Sequence, residues 1–359
     1  MLIPASQESI TAAALNRLFT HAQTGLPEVE SVKATPLAGG NGYLAQSYRL
    51  ELQWRSGDGP RTLVAKLPLQ ARLDTMTLDA VHMYRREAMF HRVVADNVAI
   101  PTARAYVAEI DAETSAATMV FEDLGALESF GDDEYISAER GQRALEHLAS
   151  LHAHYWNSPK LAGMEWLADP AETGVDQVNT ERFATSWPRM VASGAYPLSG
   201  IQLRIGELLS RQLAGLYEAL HSGPFSLIHA DMHQENVFFD GLEPVFIDWQ
   251  LAERANPAKD VAKLTGSWLE PGTIHRQQPA LLRGYHDALN RRGITCYSLD
   301  ALTRNVHLGT CHYMAIMLFL DDRDFAAMAA NMEARTDFTS NRILAACDRE
   351  EVLAAVESL

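Results

Sequence analysis

Apolar and polar residues follow two different rhythms along this chain, and the change falls near Glu122. Ile10 to Ala22 has helical spacing. Ser31 to Leu67 reads as three strands: the first ends at Leu37, the second runs from Ala45 to Trp54 and the third from Thr62 to Leu67. Between them lie the glycine-rich turn Ala38-Gly39-Gly40-Asn41-Gly42 and the breaker run Ser56-Gly57-Asp58-Gly59-Pro60. Helical spacing returns over Leu78 to Val94, and Ala103 to Val107 and Ala117 to Phe121 read as two more strands. Five short strands with one long helix after the third make a small α+β unit. Beyond Glu122 the pattern is helical over Ser137 to Trp156, Leu203 to Leu220, Pro279 to Arg291, Leu302 to Leu320, Phe325 to Met332 and Asn341 to Ser358, with one β-like interruption from Ser226 to Asp248. This predicts a β-rich part, residues 1–122, joined to a larger helical part, residues 123–359, with the cleft between them as the expected ligand site.

Composition narrows the class. The chain has 359 residues, 47% hydrophobic and 21% charged, which supplies a sizeable core and argues against disorder. Its three cysteines, Cys296, Cys311 and Cys347, include no CxxC pair, so a disulfide scaffold or zinc ribbon is not expected and a reducing cytoplasm is. The N-terminal residues lack the order of a secretory signal, and the longest apolar run, Met314 to Leu320, is too short to span a bilayer. A net charge of −16 makes nucleic acid and anionic membranes improbable partners. That charge is uneven: residues 1–122 carry 11 Lys+Arg and 13 Asp+Glu, the rest 19 and 33.

Two groups of residues could carry chemistry. Val237-Phe238-Phe239 and Val245-Phe246-Ile247 flank the turn signal Asp240-Gly241, so a hairpin paired about its loop would set Asn236 and Asp248 side by side at its open end. Their oxygens suit a hard cation such as Mg²⁺, and Asp231, five residues before Asn236, would stand ready to accept a proton from a nucleophile. In the strand Thr62 to Leu67, Lys66 shares a face with Val64; in the following helix Met83, Glu87, Phe90 and Val94 form one stripe. A carboxylate on an apolar stripe needs a partner, so Lys66 and Glu87 are expected to pair, with the lysine directed at phosphate. Gly39, Gly40 and Gly42 could let backbone N–H groups approach phosphate, although their order is not GxGxxG.

Taken in order, the glycine-rich turn, strand lysine, helix glutamate, His229-Ala230-Asp231 followed by Asn236, and hairpin Asp248 match a phosphoryl-transfer apparatus. The chain resembles the aminoglycoside phosphotransferase and choline kinase-like superfamily over about residues 30–270. Its His229-to-Asn236 run and Ile247-Asp248-Trp249-Gln250 look closest to the ecdysteroid kinase-like branch and its bacterial relatives. Leu151-His152-Ala153 is similar to the helix before the family's catalytic loop, and Met119 to Leu124 to its interlobe hinge. The resemblance implies a bilobal protein kinase-like fold and transfer of the γ-phosphate of Mg-ATP to a small-molecule hydroxyl. It implies Asp231 as catalytic base, Asn236 and Asp248 as Mg²⁺ ligands, and Lys66 on the α- and β-phosphates held by Glu87. Adenine would meet the backbone of Val120, Phe121 and Glu122, and Asp260 would buttress the catalytic loop. Ala230 stands where the family usually has glycine, which restricts the backbone there.

Two rival readings remain at this level. One is a metal hydrolase using His229-Ala230-Asp231-Met232-His233 together with His152-Ala153-His154, although helical residues two apart point about 200° apart and cannot clasp one ion. The other is a kinase-like protein that binds nucleotide without transfer. The acceptor stays open: the acidic helical part would suit a cationic compound, whereas the branch resemblance favours apolar alcohols, for which Trp249, Trp268, Phe319 and Tyr313 could supply surface.

Overall fold

The structure, a computed structural model, describes residues 6–41, 45–68, 78–110, 117–131, 133–170, 174–194, 196–321 and 341–359. The chain divides into two compact units: Met1–Glu128 together with Val245–Leu251, and Ser129–Pro244 together with Ala252–Leu359. The first unit thus recovers a seven-residue stretch from far along the chain.

In the first unit, helix α1 (Ala12–His21) starts at Thr11, whose side chain accepts from the Ala14 N–H. Five strands follow: β1 (Val29–Asn41), β2 (Ala45–Trp54), β3 (Thr62–Pro68), β4 (Ala105–Ile110) and β5 (Ala117–Glu122). They form one antiparallel sheet in the order β1-β2-β3-β5-β4, with helix α2 (Leu78–Val93) between β3 and β4 in sequence. Alternation along β3 sends Leu63, Ala65 and Leu67 into a core shared with Leu15, Leu18 and Phe19 of α1. On the other face Met119 and Phe121 pack with Ala88 of α2.

The glycine-rich segment departs from expectation. β1 does not end at Leu37 but runs to Asn41, and its register with β2 shifts between Pro36↔Tyr48 and Asn41↔Gln46. Gly39 and Gly40 therefore lie in an irregular strand rather than in a free turn, and Gly42 falls outside the described residues.

The second unit is helical: α3 (Ala138–His154), α4 (Val175–Ser193), α5 (Gly200–His221), α6 (Ala258–Ser267), α7 (Ile274–Arg291), α8 (Leu299–Asp321), α9 (341–347) and α10 (Glu350–Glu357). Two of these escape sequence periodicity. α4 carries Pro188 inside, which reads as a break, and every residue of α6 is buried, which leaves no amphipathic stripe to recognise. The expected single helix from Asn341 to Ser358 is broken before Glu350, and the expected helix from Phe325 to Met332 lies outside the described residues. Ser226–Ile228 (β6) pairs antiparallel with Glu253–Ala255 (β9), while Val237–Asp240 (β7) and Glu243–Phe246 (β8) flank a turn in which Gly241 adopts φ +63°. Among the described residues no helix is long and apolar enough to cross a membrane.

Candidate active site

In the first unit, Lys66 projects from the face of β3 opposite Ala65 and Leu67. Its ammonium donates to Glu87 Oε2 at 2.6 Å and to Asp248 Oδ1 at 2.8 Å, so the expected pair with Glu87 is joined by a second carboxylate 182 residues away in sequence. The Val245–Leu251 stretch is fastened to this unit by several contacts. Phe246 N–H donates to Pro101 O at 2.9 Å, and the Thr102 hydroxyl to Phe246 O at 2.8 Å. Trp249 Nε1–H donates to the Thr102 hydroxyl at 3.0 Å, and the Trp249 ring stacks on Phe90 with centroids 3.8 Å apart and planes within 7°. These contacts account for the placement of Asp248, which lies two residues beyond the end of β8 at φ +63° rather than at a strand end.

Burial alone would push the Lys66 ammonium toward neutrality, but Asp248 and Glu87 outweigh it and hold the group charged. Burial pushes the Glu87 carboxyl up, to about 7, against the pull of Lys66 and with the help of Asp248. Burial, with Lys66 nearby, pushes the neighbouring His91 down to about 3, so its ring stays neutral.

In the second unit, Asp231 sits on a loop whose backbone is tied from beneath. The Asp260 carboxylate, wholly buried at the start of α6, accepts the N–H groups of His229 and Ala230 at 2.8 Å each. His152 Nε2 lies 3.2 Å from the same carboxylate and its Nδ1 2.7 Å from the Tyr285 hydroxyl. The Tyr313 hydroxyl donates to Ala230 O at 3.1 Å. These bonds hold Ala230 at φ +66°, a conformation that disfavours any residue with a Cβ. The glycine the family prefers would adopt it without strain.

Asp231 itself is partly open, with 21% of its side chain exposed. Burial would raise its carboxyl, but the His233 ring, at 3.5 Å, with Lys263 and His229, holds it well below the usual carboxylate range. The same carboxylate raises His233, against burial. Neither His233, the ion-pair partner of Asp231, nor Lys263, which acts on it through space, was picked out as such from the sequence. His233 stood out only in the HxDxH pattern, and Lys263 lies on the helix that left no periodic signal.

Asn236 is buried, and its amide nitrogen donates to Asp231 O at 2.9 Å and to Asp231 Oδ2 at 3.3 Å. That orientation turns its carbonyl oxygen away, with no protein donor among the described residues. Asp248 accepts from Lys66 through Oδ1 and from Gln250 Nε2 through Oδ2 at 3.3 Å, which leaves further lone pairs on both oxygens. Hard oxygen donors of this kind fit Mg²⁺, which needs only one or two protein ligands. Among the described residues no group of three or more His, Cys, Asp or Glu gathers as a zinc site would require. His152 and His154 diverge as helical geometry demands, the first buried between Asp260 and Tyr285 and the second exposed.

Two expectations are corrected here. Val120 and Phe121 pair with β3 on one side and β4 on the other, and Glu122 N–H donates to Arg104 O at 2.9 Å. Backbone groups of Val120 and Phe121, already paired on both edges, cannot also receive a base, whereas at Glu122 the bond to Arg104 engages the N–H and Arg104 N–H turns to the Glu122 side chain rather than to its carbonyl. Trp249 and Trp268 are fully buried, against Phe90 and Phe239, and offer no surface to an acceptor. Tyr313 spends its hydroxyl on the loop, and the Phe319 side chain lies outside the described residues.

Residues 40–296 match the model of the phosphotransferase enzyme family. A search of curated proteins returns no match. Among solved structures the chain is similar to an ethanolamine kinase from Plasmodium vivax, at 10% identity over 98% of this chain and 91% of that one with a TM-score of 0.58. It is similar to a choline kinase from Cryptosporidium parvum, at 10% identity over 87% and 88% with a TM-score of 0.51. It is also similar to a spectinomycin phosphotransferase solved with ADP and spectinomycin, at 11% identity over 93% and 95% with a TM-score of 0.53. These likenesses show the kinase-like fold, whereas the ecdysteroid kinase-like branch rests on the motifs alone.

Proposed function

Because the chain belongs to the phosphotransferase enzyme family, we propose that it transfers the γ-phosphate of ATP to a hydroxyl group of a small molecule. The observation that carries this reading is the Asp231 carboxylate, kept ionised and partly exposed on a loop that Asp260 holds by two backbone bonds. An ionised carboxylate in that position orients an acceptor hydroxyl and takes its proton as the oxygen bonds to phosphorus and ADP leaves. Lys66, kept charged by Glu87 and Asp248, serves the α- and β-phosphates. Asn236 and Asp248 are the oxygen donors assigned to Mg²⁺, which when bound neutralises charge on the phosphate oxygens. Main chain from the Glu122 carbonyl onward takes the adenine edge in place of Val120 and Phe121.

The kinases and phosphotransferases of similar fold are named for chemically diverse acceptors, so the fold does not specify the acceptor and this chain's own residues must select it. Transfer itself is tested by ADP release against a hydroxyl-compound library, with Asp231→Asn as control and Mg-ATP binding followed by calorimetry. The expected result is loss of acceptor-dependent ADP release in Asp231→Asn with nucleotide binding retained. Equal ADP release from both proteins, or no Mg-ATP binding by the wild type, overturns the reading.

A further inference from the structure

Helix α6 is buried on every side, so each polar side chain along it needs an internal partner. Lys259 pairs with Glu253, and Asp260 accepts from His229, Ala230 and His152. Thr265 donates to Val261 O and accepts from Gln278, while Ser267 donates to Lys263 O. Lys263 is the exception. It is 1% exposed, yet among the described residues its ammonium has no hydrogen-bond acceptor and no carboxylate within 4.0 Å. It lies over the face of Tyr313, 4.9 Å from the ring centroid. Asp231 acts on it only through space, and that carboxylate already engages His233 and Asn236.

A buried ammonium without an anion is costly, and every other polar side chain of α6 has an internal partner, although nearby Trp268 Nε1 and His312 Nδ1 are also buried without one among the described residues. The missing partner is then a ligand. We infer that Lys263 receives an anionic oxygen of the acceptor, so that the compound phosphorylated beside Asp231 is a hydroxycarboxylate or similar hydroxy anion, not an alkylammonium alcohol. This rests on the phosphotransferase reading and supplies its substrate class. The overall charge of −16 suggests a cationic acceptor, but long-range charge is screened by solvent. Around Asp231 the positive groups Lys263 and His233 face the carboxylates Asp231, Glu235 and Asp260, so the case for an anion rests on the unpartnered ammonium and not on a net local charge. A cationic headgroup would meet Lys263 with like charge.

Three measurements on the full chain test the assignment. Lys263→Met keeps most of the volume and removes the unpartnered charge, so the melting temperature without ligand should rise; a fall would make Lys263 a structural partner of Asp231 and overturn the proposal. With Mg-ATP, ADP release should increase at least ten-fold with one or more of lactate, glycerate, gluconate and quinate, and not with choline, ethanolamine or kanamycin. Lys263→Met should abolish that increase and Lys263→Arg restore part of it. Stimulation by the cationic compounds, or by none of the acids, overturns the substrate class. In the first case transfer itself stands, whereas failure to bind Mg-ATP would instead remove the phosphotransferase reading. Finally, a loss of ten-fold or more in affinity for a non-hydrolysable Mg-ATP analogue on Lys263→Met would assign the anionic oxygen to the nucleotide and reject the acceptor.

Discussion

Replacing Asp260 by asparagine changes the chemistry of one atom at almost constant volume, at a buried position that holds the loop bearing Asp231. Oδ2 accepts from His229 N–H at 2.8 Å and lies 3.2 Å from His152 Nε2, while Oδ1 accepts from Ala230 N–H at 2.8 Å. The least disruptive asparagine orientation keeps its oxygen toward His229 and His152 and turns its NH₂ against the Ala230 N–H. One buried donor then loses its acceptor, at about 1–3 kcal/mol, and two charge-assisted bonds become neutral ones, at about 0.5–1 kcal/mol each. Asp260→Asn should therefore destabilise the second unit by about 2–5 kcal/mol at pH 7. Urea unfolding followed by the fluorescence of Trp156, Trp166, Trp187 and Trp268, all in the second unit, measures this. The wild-type carboxyl lies below its ordinary value of 3.8, because bonds to His152 and His229 outweigh burial. Its contribution is full above that value and is lost as pH falls through the lowered pKa, so the gap between the two proteins should narrow in acid. A loss under about 1 kcal/mol at pH 7 would refute the buttress.

Three further outcomes are expected. Ala230→Gly relieves a left-handed Cβ strain of about 1–2 kcal/mol against an unfolded-state entropy loss of about 0.5–1 kcal/mol, so thermal unfolding should show slight stabilisation; destabilisation would mean the methyl group packs usefully. Lys66→Met should lower kcat/KM for Mg-ATP by about 10²–10³-fold and, by stranding Glu87 and Asp248, cost about 3–5 kcal/mol in urea melts of the first unit; steady-state values close to wild type would remove its assigned role. His91 and His307, lowered to about 3 and about 4 by burial, are neutral in the fold but charge in the unfolded chain below about pH 6.5. Stability should therefore fall from that pH downward, by about 2 kcal/mol per histidine at pH 5, and His91→Gln should flatten part of that slope; an unchanged slope would contradict it.

Much of the first unit was legible locally. Alternation located all five strands, and the stripe through Met83, Glu87 and Phe90 marked the glutamate that Lys66 meets, because strand and helix periodicity are properties of neighbouring residues. The spacing of Asp231 and Asn236 was equally local, and the structure joins them by direct hydrogen bonds. Periodicity failed where burial is complete: α6 has no polar face, so neither the helix nor the isolation of Lys263 could be seen. It also failed at Val120 and Phe121, where pairing on both edges depends on which strands become neighbours.

The sequence by itself therefore determined which chemical groups this protein owns and the order in which it presents them, since residue type and short spacing set donor chemistry, strand faces and helix stripes. Only the tertiary structure decided their partners. It brought Asp248 to Lys66 by stacking Trp249 on Phe90, forced Ala230 into a left-handed turn over Asp260, and left one buried ammonium near Asp231 without a hydrogen-bonded anion. Such choices arise from packing between segments far apart in the chain, where the cost of an unpaired buried group selects partners that no local pattern encodes.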